Sequence, residues 1–457
     1  MDSLNNLQSQ YNDVIKNNTN LISENKQFHQ ELNNIKNSKA FKLGTSLAYP
    51  IRKIKSMWHD SNNKNSQKNK HLKVLFVPSD NNRTSGAFLS MANLVNNLKN
   101  KYGIEEYVII PNKGNGDAIL SSMGINFKLI ESRDWVIPLS LKKDDSFRKD
   151  VANKKNINNK AIEEIRKVIR EHNIDILHIN TTYSYVGAKA ALAEDIPFVW
   201  HLREFLEEDQ SNTLWDRDEG NKLINQANRI IAISNSIYKK YDNIFDKHRL
   251  VKIYNGIDAN KFYKKDRNIL TDKLVKFIMV GGFEYYKGQI EFAEACAKLY
   301  KKGFHDFEIS FVGTGKGEVK DKVNKILTDA GVKNVNYLGY KKNVEDFFDK
   351  SDISFTCAKS EAFGRTTVEA MLSGNLLIGA DTAGTKELIN NNKTGLLYQH
   401  GNSDDLCEKM SYAIKNKKKS KKMANKGRKY MFNNMTAEIN ADKIYKLYNE
   451  VLSENKK

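Results

Sequence analysis

Short runs rich in β-branched and aromatic residues alternate with amphipathic stretches from His71 onward. This alternation predicts parallel sheets whose strands are joined by crossover helices. The rhythm restarts after the charged spacer KKDRNILTDK, so two doubly wound α/β domains are expected. The candidate strands are residues 72–78, 106–111, 125–131, 174–180, 197–203, 229–235 and 250–256 before the spacer, and 275–282, 307–315, 335–340, 352–358 and 375–381 after it.

A different pattern occupies residues 1–38, where apolar residues recur at alternating spacings of three and four. Asn18 and Asn25 stand at two positions of this seam. An apolar heptad seam predicts a coiled coil, and a seam asparagine commonly fixes its register and strand number. A parallel homodimer through residues 1–38 is therefore the hypothesis. The alternative is a single amphipathic helix packed on the body of the protein.

Residues 39–70 combine a basic amphipathic segment with a polar linker. Phe41, Ile51 and Trp58 alternate there with lysines and Arg52, a mixture that suits an anionic bilayer surface. Packing against the body is the alternative. No stretch approaches the roughly 18 apolar residues of a membrane span, and the start MDSLNNLQSQ has no secretory features. A cytoplasmic protein, peripheral on the inner face of the cell membrane, is expected.

The formal charge of +19 raises the question of nucleic-acid binding. Residues 1–70 hold 11 Lys/Arg against 5 Asp/Glu, a net of +6, and the remaining excess is dispersed. Basic residues are not interleaved with aromatic ones as in RNA-binding modules, so a solvated lysine-rich surface is favoured and nucleic acid is not an expected partner. The three widely spaced cysteines predict buried thiols rather than disulfides or a zinc site.

Two strand ends after the spacer suggest phosphate binding. Lys287 follows the glycine pair Gly281-Gly282, and Gly313 opens the stretch GTGKGE before a helix. Glycines let an anion approach the backbone, and a helix start and a lysine both attract it. Neither stretch matches the Rossmann or the P-loop fingerprint.

The stretch SEAFGRTTVEAMLSG places two carboxylates around a turn. Glu361 follows a strand, Phe363-Gly364 makes the turn, and Thr366 or the next threonine can cap the helix that holds Glu369. Both carboxylates are expected to face one crevice, where they could bind a ribose diol and a sugar. The alternative is a glutamate favoured by the helix dipole beside an exposed loop glutamate.

This stretch resembles the E-x7-E motif of family-4 glycosyltransferases, whose GT-B fold sets two Rossmann-like domains across a cleft. Further segments agree in order over about residues 72–450, namely SGAFLSMANL (85–94), RIIAISNS (229–236), IYNGID (253–258), Lys287-Gly288 and TAGTKELINNNKTGLLY (382–398). The expected domains are residues 71–265 for the acceptor and residues 273–430 for the nucleotide-sugar, with residues 431–457 as a helix that crosses back.

The resemblance also assigns site residues. It implies that Glu369 binds the ribose, that Lys287 binds the diphosphate, and that Glu361 and the backbone of Phe363, Gly364, Arg365 and Thr366 contact the donor sugar. Gly86, Gly282 and Gly313 are the glycines expected at the donor. His201, in HLREFLEED, is similar to a histidine of bacterial surface-polysaccharide members, and makes a set of catalytic candidates with Lys287 and Glu361.

One position departs from the family. Gly282 stands where the family commonly has a phosphate-binding arginine, and Arg365 or Arg203 could supply that charge.

The implied function is a metal-independent retaining hexosyltransferase of surface polysaccharide synthesis. It would use a nucleotide-diphosphate sugar as co-substrate, no cofactor, and a glycan, lipid-linked or cell-wall acceptor. The D-x-D spelling at Asp216-Arg217-Asp218 does not follow a clean apolar strand and is not taken as a metal site. The alternatives are a GT-B-like sugar-nucleotide epimerase and a catalytically silent donor-binding or scaffold subunit.

Overall fold

Two parallel sheets carry the fold in the computed structural model, which describes residues 71–455. The predictions for residues 1–70, the coiled coil, the basic amphipathic segment and the linker, lie outside the described residues. All twelve predicted strands are present, with ends that differ by a few residues. Three further strands of three residues each, Val136–Pro138, Asn212–Leu214 and Leu396–Tyr398, are not predicted by the sequence pattern.

We call residues 73–262 the N-terminal lobe. Its strands are β1 Lys73–Pro78, β2 Glu105–Ile110, β3 Phe127–Leu129, β4 Val136–Pro138, β5 Ile176–Asn180, β6 Phe198–Leu202, β7 Asn212–Leu214, β8 Arg229–Ala232 and β9 Leu250–Lys252. The first sheet has seven of these strands in the order β3-β2-β1-β5-β6-β8-β9, and β4 pairs with β7 in a separate antiparallel ribbon. Its helices are Gly86–Tyr102, Asp117–Ser122, Asp145–His172, Val186–Ala193, Arg217–Ile224, Asn235–Tyr241 and Ala259–Phe262.

We call residues 275–434 the C-terminal lobe. Its strands are β10 Val275–Val280, β11 Phe307–Val312, β12 Val335–Tyr337, β13 Ile353–Thr356, β14 Leu376–Ala380 and β15 Leu396–Tyr398. They form the second sheet in the order β12-β11-β10-β13-β14-β15. Its helices are Gln289–Lys301, Gly317–Asp329, Glu345–Asp349, Arg365–Leu372, Ala383–Leu388, Ser403–Lys415 and Lys417–Asn434, and a 3₁₀ turn covers Tyr285–Lys287.

The central strands of both sheets are buried on two faces, which explains their nearly continuous apolar sequences. Strand order reverses between β1 and β5 in the first sheet and between β10 and β13 in the second. Such reversal points open a crevice beyond the carboxyl ends of the strands, where ligands of doubly wound folds bind. The architecture is therefore the two-domain, Rossmann-like arrangement that the sequence predicts.

A helix after the second sheet, Ala437–Glu454, packs against the helix Gly86–Tyr102 of the N-terminal lobe. Its buried residues Ile444, Leu447 and Val451 join Met91 and Val95 in one apolar cluster. The three cysteines are buried and free, as predicted. Among the helices of residues 71–455, none combines the length and the apolar character needed to cross a bilayer.

Candidate active site

A cleft of about 200 Å³ lies where the strand ends of both lobes meet. The N-terminal lobe contributes the start of the helix Gly86–Tyr102 and the segments after β6 and β8, and the C-terminal lobe contributes the segments after β10 and β13. Eight of the predicted site residues line this cleft: Gly86, Arg203, Lys287, Glu361, Phe363, Gly364, Arg365 and Thr366. The sequence motifs, separated by up to 280 residues, thus meet at one place.

Lys287 and Glu361 form an ion pair on the wall of the cleft, with 2.9 Å between Nζ and Oε2. Lys287 ends the 3₁₀ turn, and Gly288 follows in the left-handed region with φ of 77°. A Cβ at Gly288 would lie 2.1 Å from the carbonyl oxygen of Cys357, so only glycine lets this turn approach the end of β13. Burial works to lower the pKa of Lys287, but the Glu361 carboxylate holds that pKa above its ordinary value.

The helix Arg365–Leu372 begins at the cleft without a side-chain cap. The expectation that a threonine caps it is wrong, because Gly364 occupies the cap position with φ of 91°. The next residue, Thr366, lines the cleft instead, and Thr367 lies 3.1 Å from the hydroxyl of Thr356. The first N–H groups of the helix therefore remain available to an anion or a sugar oxygen.

Glu369 lies one helical turn from Arg365, whose Nη2 donates to its Oε1 across 3.1 Å. Its side chain is only 9% exposed and does not line the cleft, unlike Glu361. Burial raises the pKa of Glu369 above its ordinary value, and the Arg365 guanidinium opposes that rise. The two glutamates thus flank the same turn, but only Glu361 is on the wall of the cleft.

Arg203 and Arg365 bring two guanidinium groups to the cleft. Asn180 and Asn255 each accept a hydrogen bond of 2.5 Å from Arg203, which is 7% exposed. Burial lowers the pKa of Arg203 to about 9. Arg365 reaches across the cleft and donates to the hydroxyl of Ser90 at 2.7 Å. Both arginines therefore place positive charge in the cleft, although this chain has glycine at position 282, where the family commonly has an arginine.

Gly86 lies directly opposite Arg365. A Cβ on Gly86 would lie 3.3 Å from the Cδ of Arg365, so a small residue allows the two lobes to approach here. Gly282 and Gly313 do not line the cleft. A Cβ on Gly313 would lie 2.1 Å from the carbonyl oxygen of Gly281, so this glycine lets the loops after β10 and β11 pack together.

His201 is fully buried at the end of β6 and does not line the cleft. Its Nδ1 lies 3.1 Å from Nε2 of His178 and 3.2 Å from Nη2 of Arg203. Burial and, secondarily, the charge of Arg203 hold the pKa of His201 well below its usual range. Its other nitrogen, Nε2, is buried without a hydrogen-bond partner among the described residues.

Two carboxylates near the site are not predicted by the sequence motifs. Glu387, inside the matched 382–398 segment, accepts hydrogen bonds from the backbone N–H groups of Asn235 and Ser236 at 2.7 and 2.5 Å and so joins the two lobes. Asp209, in the matched HLREFLEED segment, is close enough to Glu361 and Lys287 for their charges to shift its pKa. The position of Glu387 and Asp209 in segments that match the family indicates a role at the site. No residue pattern in the sequence distinguishes them from carboxylates exposed to solvent.

Asp216, the first residue of the D-x-D spelling, caps the helix Arg217–Ile224. Its Oδ1 accepts a hydrogen bond from the N–H of Glu219 at 3.0 Å. This carboxylate therefore has a structural role.

Family models match parts of both lobes. The family model described as Glycosyltransferase Family 4 matches residues 142–261, and the one described as Glycosyl transferases group 1 matches residues 261–430.

Individual relatives have low sequence identity to this chain but align with more than half of it. The N-acetyl-alpha-D-glucosaminyl L-malate synthase of Bacillus anthracis is 23% identical over 317 residues, 64% of this chain and 79% of that protein. The N,N'-diacetylbacillosaminyl-diphospho-undecaprenol alpha-1,3-N-acetylgalactosaminyltransferase of Campylobacter jejuni is 26% identical over 289 residues, 56% and 71% of the two chains. The crystal structure of Anabaena HepE with UDP and glucose has a TM-score of 0.65 at 18% identity and covers 83% of this chain and 100% of that one. The structural likeness shows a shared fold.

Proposed function

Since the chain belongs to the family-4 glycosyltransferases with the GT-B fold, we propose that it transfers an N-acetylhexosamine from a UDP-sugar to a glycan or lipid-linked acceptor. The transfer retains the anomeric configuration, as the family resemblance implies. The protein would act in bacterial surface polysaccharide synthesis.

The observation that carries this proposal is the gathering of three cations in one cleft. Lys287, Arg203 and Arg365 line it together with the uncapped start of the helix Arg365–Leu372. Negative charge develops on the departing diphosphate as the glycosidic bond loosens. Cations and backbone dipoles already aimed at that position stabilise the transition state more than the ground state, which is the condition for catalysis.

The donor sugar would contact Glu361 and the backbone of residues 363–366. Glu361 is 20% exposed on the cleft wall and accepts hydrogen bonds, so it suits sugar hydroxyls. Glu369 and His201 do not line the cleft themselves but contact Arg365 and Arg203, which do. A bound donor would reach past these arginines, with the ribose at Glu369 and a sugar oxygen at Nε2 of His201. Arg203 and Arg365 would replace the arginine that the family commonly has at Gly282.

The names of the relatives support the proposed substrate class. The two enzymes described above are named for N-acetylglucosaminyl and N-acetylgalactosaminyl groups, and one is named for an undecaprenol-linked substrate. HepE was solved with UDP. An acceptor of that lipid-linked kind fits a position on the inner face of the membrane, where residues 39–70 would contact anionic lipid.

Metal independence is part of the proposal. The family scheme assigns charge stabilisation to protein cations, and Asp216 of the D-x-D spelling is occupied as a helix cap. Transfer that persists in excess EDTA is the expected result. Restoration by Mn²⁺ of activity lost in EDTA would contradict this part.

The test begins with thermal stabilisation of the full chain by UDP-N-acetylglucosamine, UDP-N-acetylgalactosamine, UDP-glucose and GDP-mannose, since a ligand of the native state raises its melting temperature. The stabilising donor, radiolabelled in the sugar, is then incubated with undecaprenyl-diphosphate-linked sugars. Label in the lipid fraction is expected. Conversion of the donor alone into another sugar nucleotide would indicate an epimerase, and binding without turnover on any acceptor would indicate a silent subunit.

A further inference from the structure

A chain of buried hydrogen bonds connects the helix Ala437–Glu454 to His201. The hydroxyl of Tyr448 lies 2.6 Å from Nδ1 of His178, and Nε2 of His178 lies 3.1 Å from Nδ1 of His201. Both histidines and Tyr448 have no exposed surface. Neither histidine is charged, because burial and the nearby Arg203 disfavour a second proton on each ring.

Arg203 fixes which group donates and which accepts in each of these hydrogen bonds. Its guanidinium has only donors, and one of them lies 3.2 Å from Nδ1 of His201. Nδ1 of His201 must therefore accept, so the single proton of that neutral ring is on Nε2. His178 must then donate from its own Nε2, because two acceptors would otherwise face each other.

The same reasoning continues to the end of the chain. With its proton on Nε2, His178 has an acceptor at Nδ1, and Tyr448 must donate to it. Burial keeps the Tyr448 hydroxyl protonated, since it raises the pKa of that group well above its usual value. The other tautomer of His201 would place a proton against the Arg203 guanidinium.

We infer that Tyr448 and His178 are positioning residues that, with Arg203, hold His201 as its Nε2–H tautomer, so that His201 presents a hydrogen-bond donor and not a base. The observation behind this is the buried Nε2 of His201, which has no partner among the described residues. A buried donor left unpaired is costly, and a substrate oxygen would satisfy it. The assignment of that oxygen to the donor sugar rests on the proposed function.

This inference gives the helix Ala437–Glu454 a part in the site. Tyr448 reaches His201 through a single intervening ring, although 247 residues separate the two along the chain. Tyr445 lies on the same helix but stacks on Tyr102, with 3.8 Å between the ring centroids. It offers a matched control.

The first experiment reads the tautomers directly and needs no substrate. Full-length protein labelled with ¹⁵N-histidine is studied by long-range ¹H–¹⁵N correlation at about pH 7, with assignment by His178→Asn and His201→Asn. Both rings are expected to show a protonated Nε2 and an unprotonated Nδ1. A proton on Nδ1 of His201, or a doubly protonated ring, would overturn the inference whether or not the protein is a glycosyltransferase.

The second experiment separates positioning from general structural damage. Tyr448→Phe should lower kcat with the sugar nucleotide by about tenfold, the size expected when a hydrogen bond is weakened. The affinity for UDP, which lacks the sugar, should stay unchanged, and Tyr445→Phe should behave as the parent protein. An unchanged kcat in Tyr448→Phe, or an equal loss of UDP affinity, would contradict a positioning role. If no donor is turned over by the parent protein, the proposed function fails and the tautomer measurement alone decides.

Discussion

The ammonium of Lys287 lies 2.9 Å from the carboxylate of Glu361, so the cation expected at the diphosphate is paired with the carboxylate expected at the sugar. The two side chains come from the segments that follow β10 and β13. Each therefore holds the other in place before a substrate arrives. A bound donor would share Lys287 between Glu361 and the leaving phosphate.

Replacing Lys287 by alanine should lower kcat/KM by roughly 100- to 1,000-fold, the loss typical when one group that stabilises transition-state charge is removed. Steady-state transfer assays with the stabilising donor would measure it. Lys322→Ala is the matched control, because Lys322 is an exposed lysine of the same lobe that contacts Tyr285 outside the cleft. A Lys287→Ala enzyme within a factor of three of the parent would refute the assignment.

Glu369→Gln should weaken UDP binding by about tenfold, because a neutral amide accepts the ribose hydroxyls less strongly than a carboxylate. The fold should survive, since the glutamine oxygen can still accept from Arg365. Isothermal titration calorimetry with UDP measures the affinity, and the exposed Glu408→Gln serves for comparison. Unaltered UDP affinity in Glu369→Gln would remove this residue from the nucleotide site.

Asp209 should make stability depend on pH. Burial first, and the Glu361 carboxylate second, raise the pKa of Asp209 from an ordinary 3.8 to about 6. A raised carboxyl pKa means that the folded state binds the proton more tightly than the unfolded state. The contribution of Asp209 to stability is therefore lost as pH rises from about 4 to about 6.

Asp209→Asn should remove this contribution. Urea denaturation midpoints of both proteins are measured at several pH values between about 4 and 7. The stability of the variant relative to the parent should increase as pH rises. A constant difference across that range would show that Asp209 titrates normally.

Glu387 should hold the two lobes together. Its carboxylate accepts from two backbone N–H groups at the start of the helix Asn235–Tyr241 and from the hydroxyl of Ser236. Glu387→Gln would place an amide donor against those donors and should reduce the free energy of unfolding by about 1 to 3 kcal/mol. Urea denaturation measures the effect, again beside Glu408→Gln. An unchanged midpoint would mean that the contact contributes nothing.

Much of the fold could be predicted because its signals are local. Parallel strands buried on both faces must be nearly continuous apolar runs, and β1 and β10 are of that kind. The strands β4 and β7 were not predicted because each has three residues and one contains Pro138. Their pairing joins segments about 75 residues apart, which no local pattern reveals.

The site could be predicted only as far as its motifs are contiguous. Lys287, Glu361 and Arg365 were singled out, and all three line one cleft. Residue propensity alone predicts a threonine cap for the helix Arg365–Leu372, but Gly364, in the left-handed region, takes that position. His178 and Tyr448 are an ordinary strand histidine and an ordinary helix tyrosine in the sequence, and only the folded chain brings them together.

The helix Ala437–Glu454 covers an apolar face of the lobe that is translated first. While the ribosome synthesises the C-terminal lobe, Met91 and Val95 lack the packing partners that this helix supplies. The N-terminal lobe is therefore synthesised first but completed only when this helix has been made. Until then the nascent chain exposes an apolar surface that is prone to aggregation, which two independently completed domains would not do.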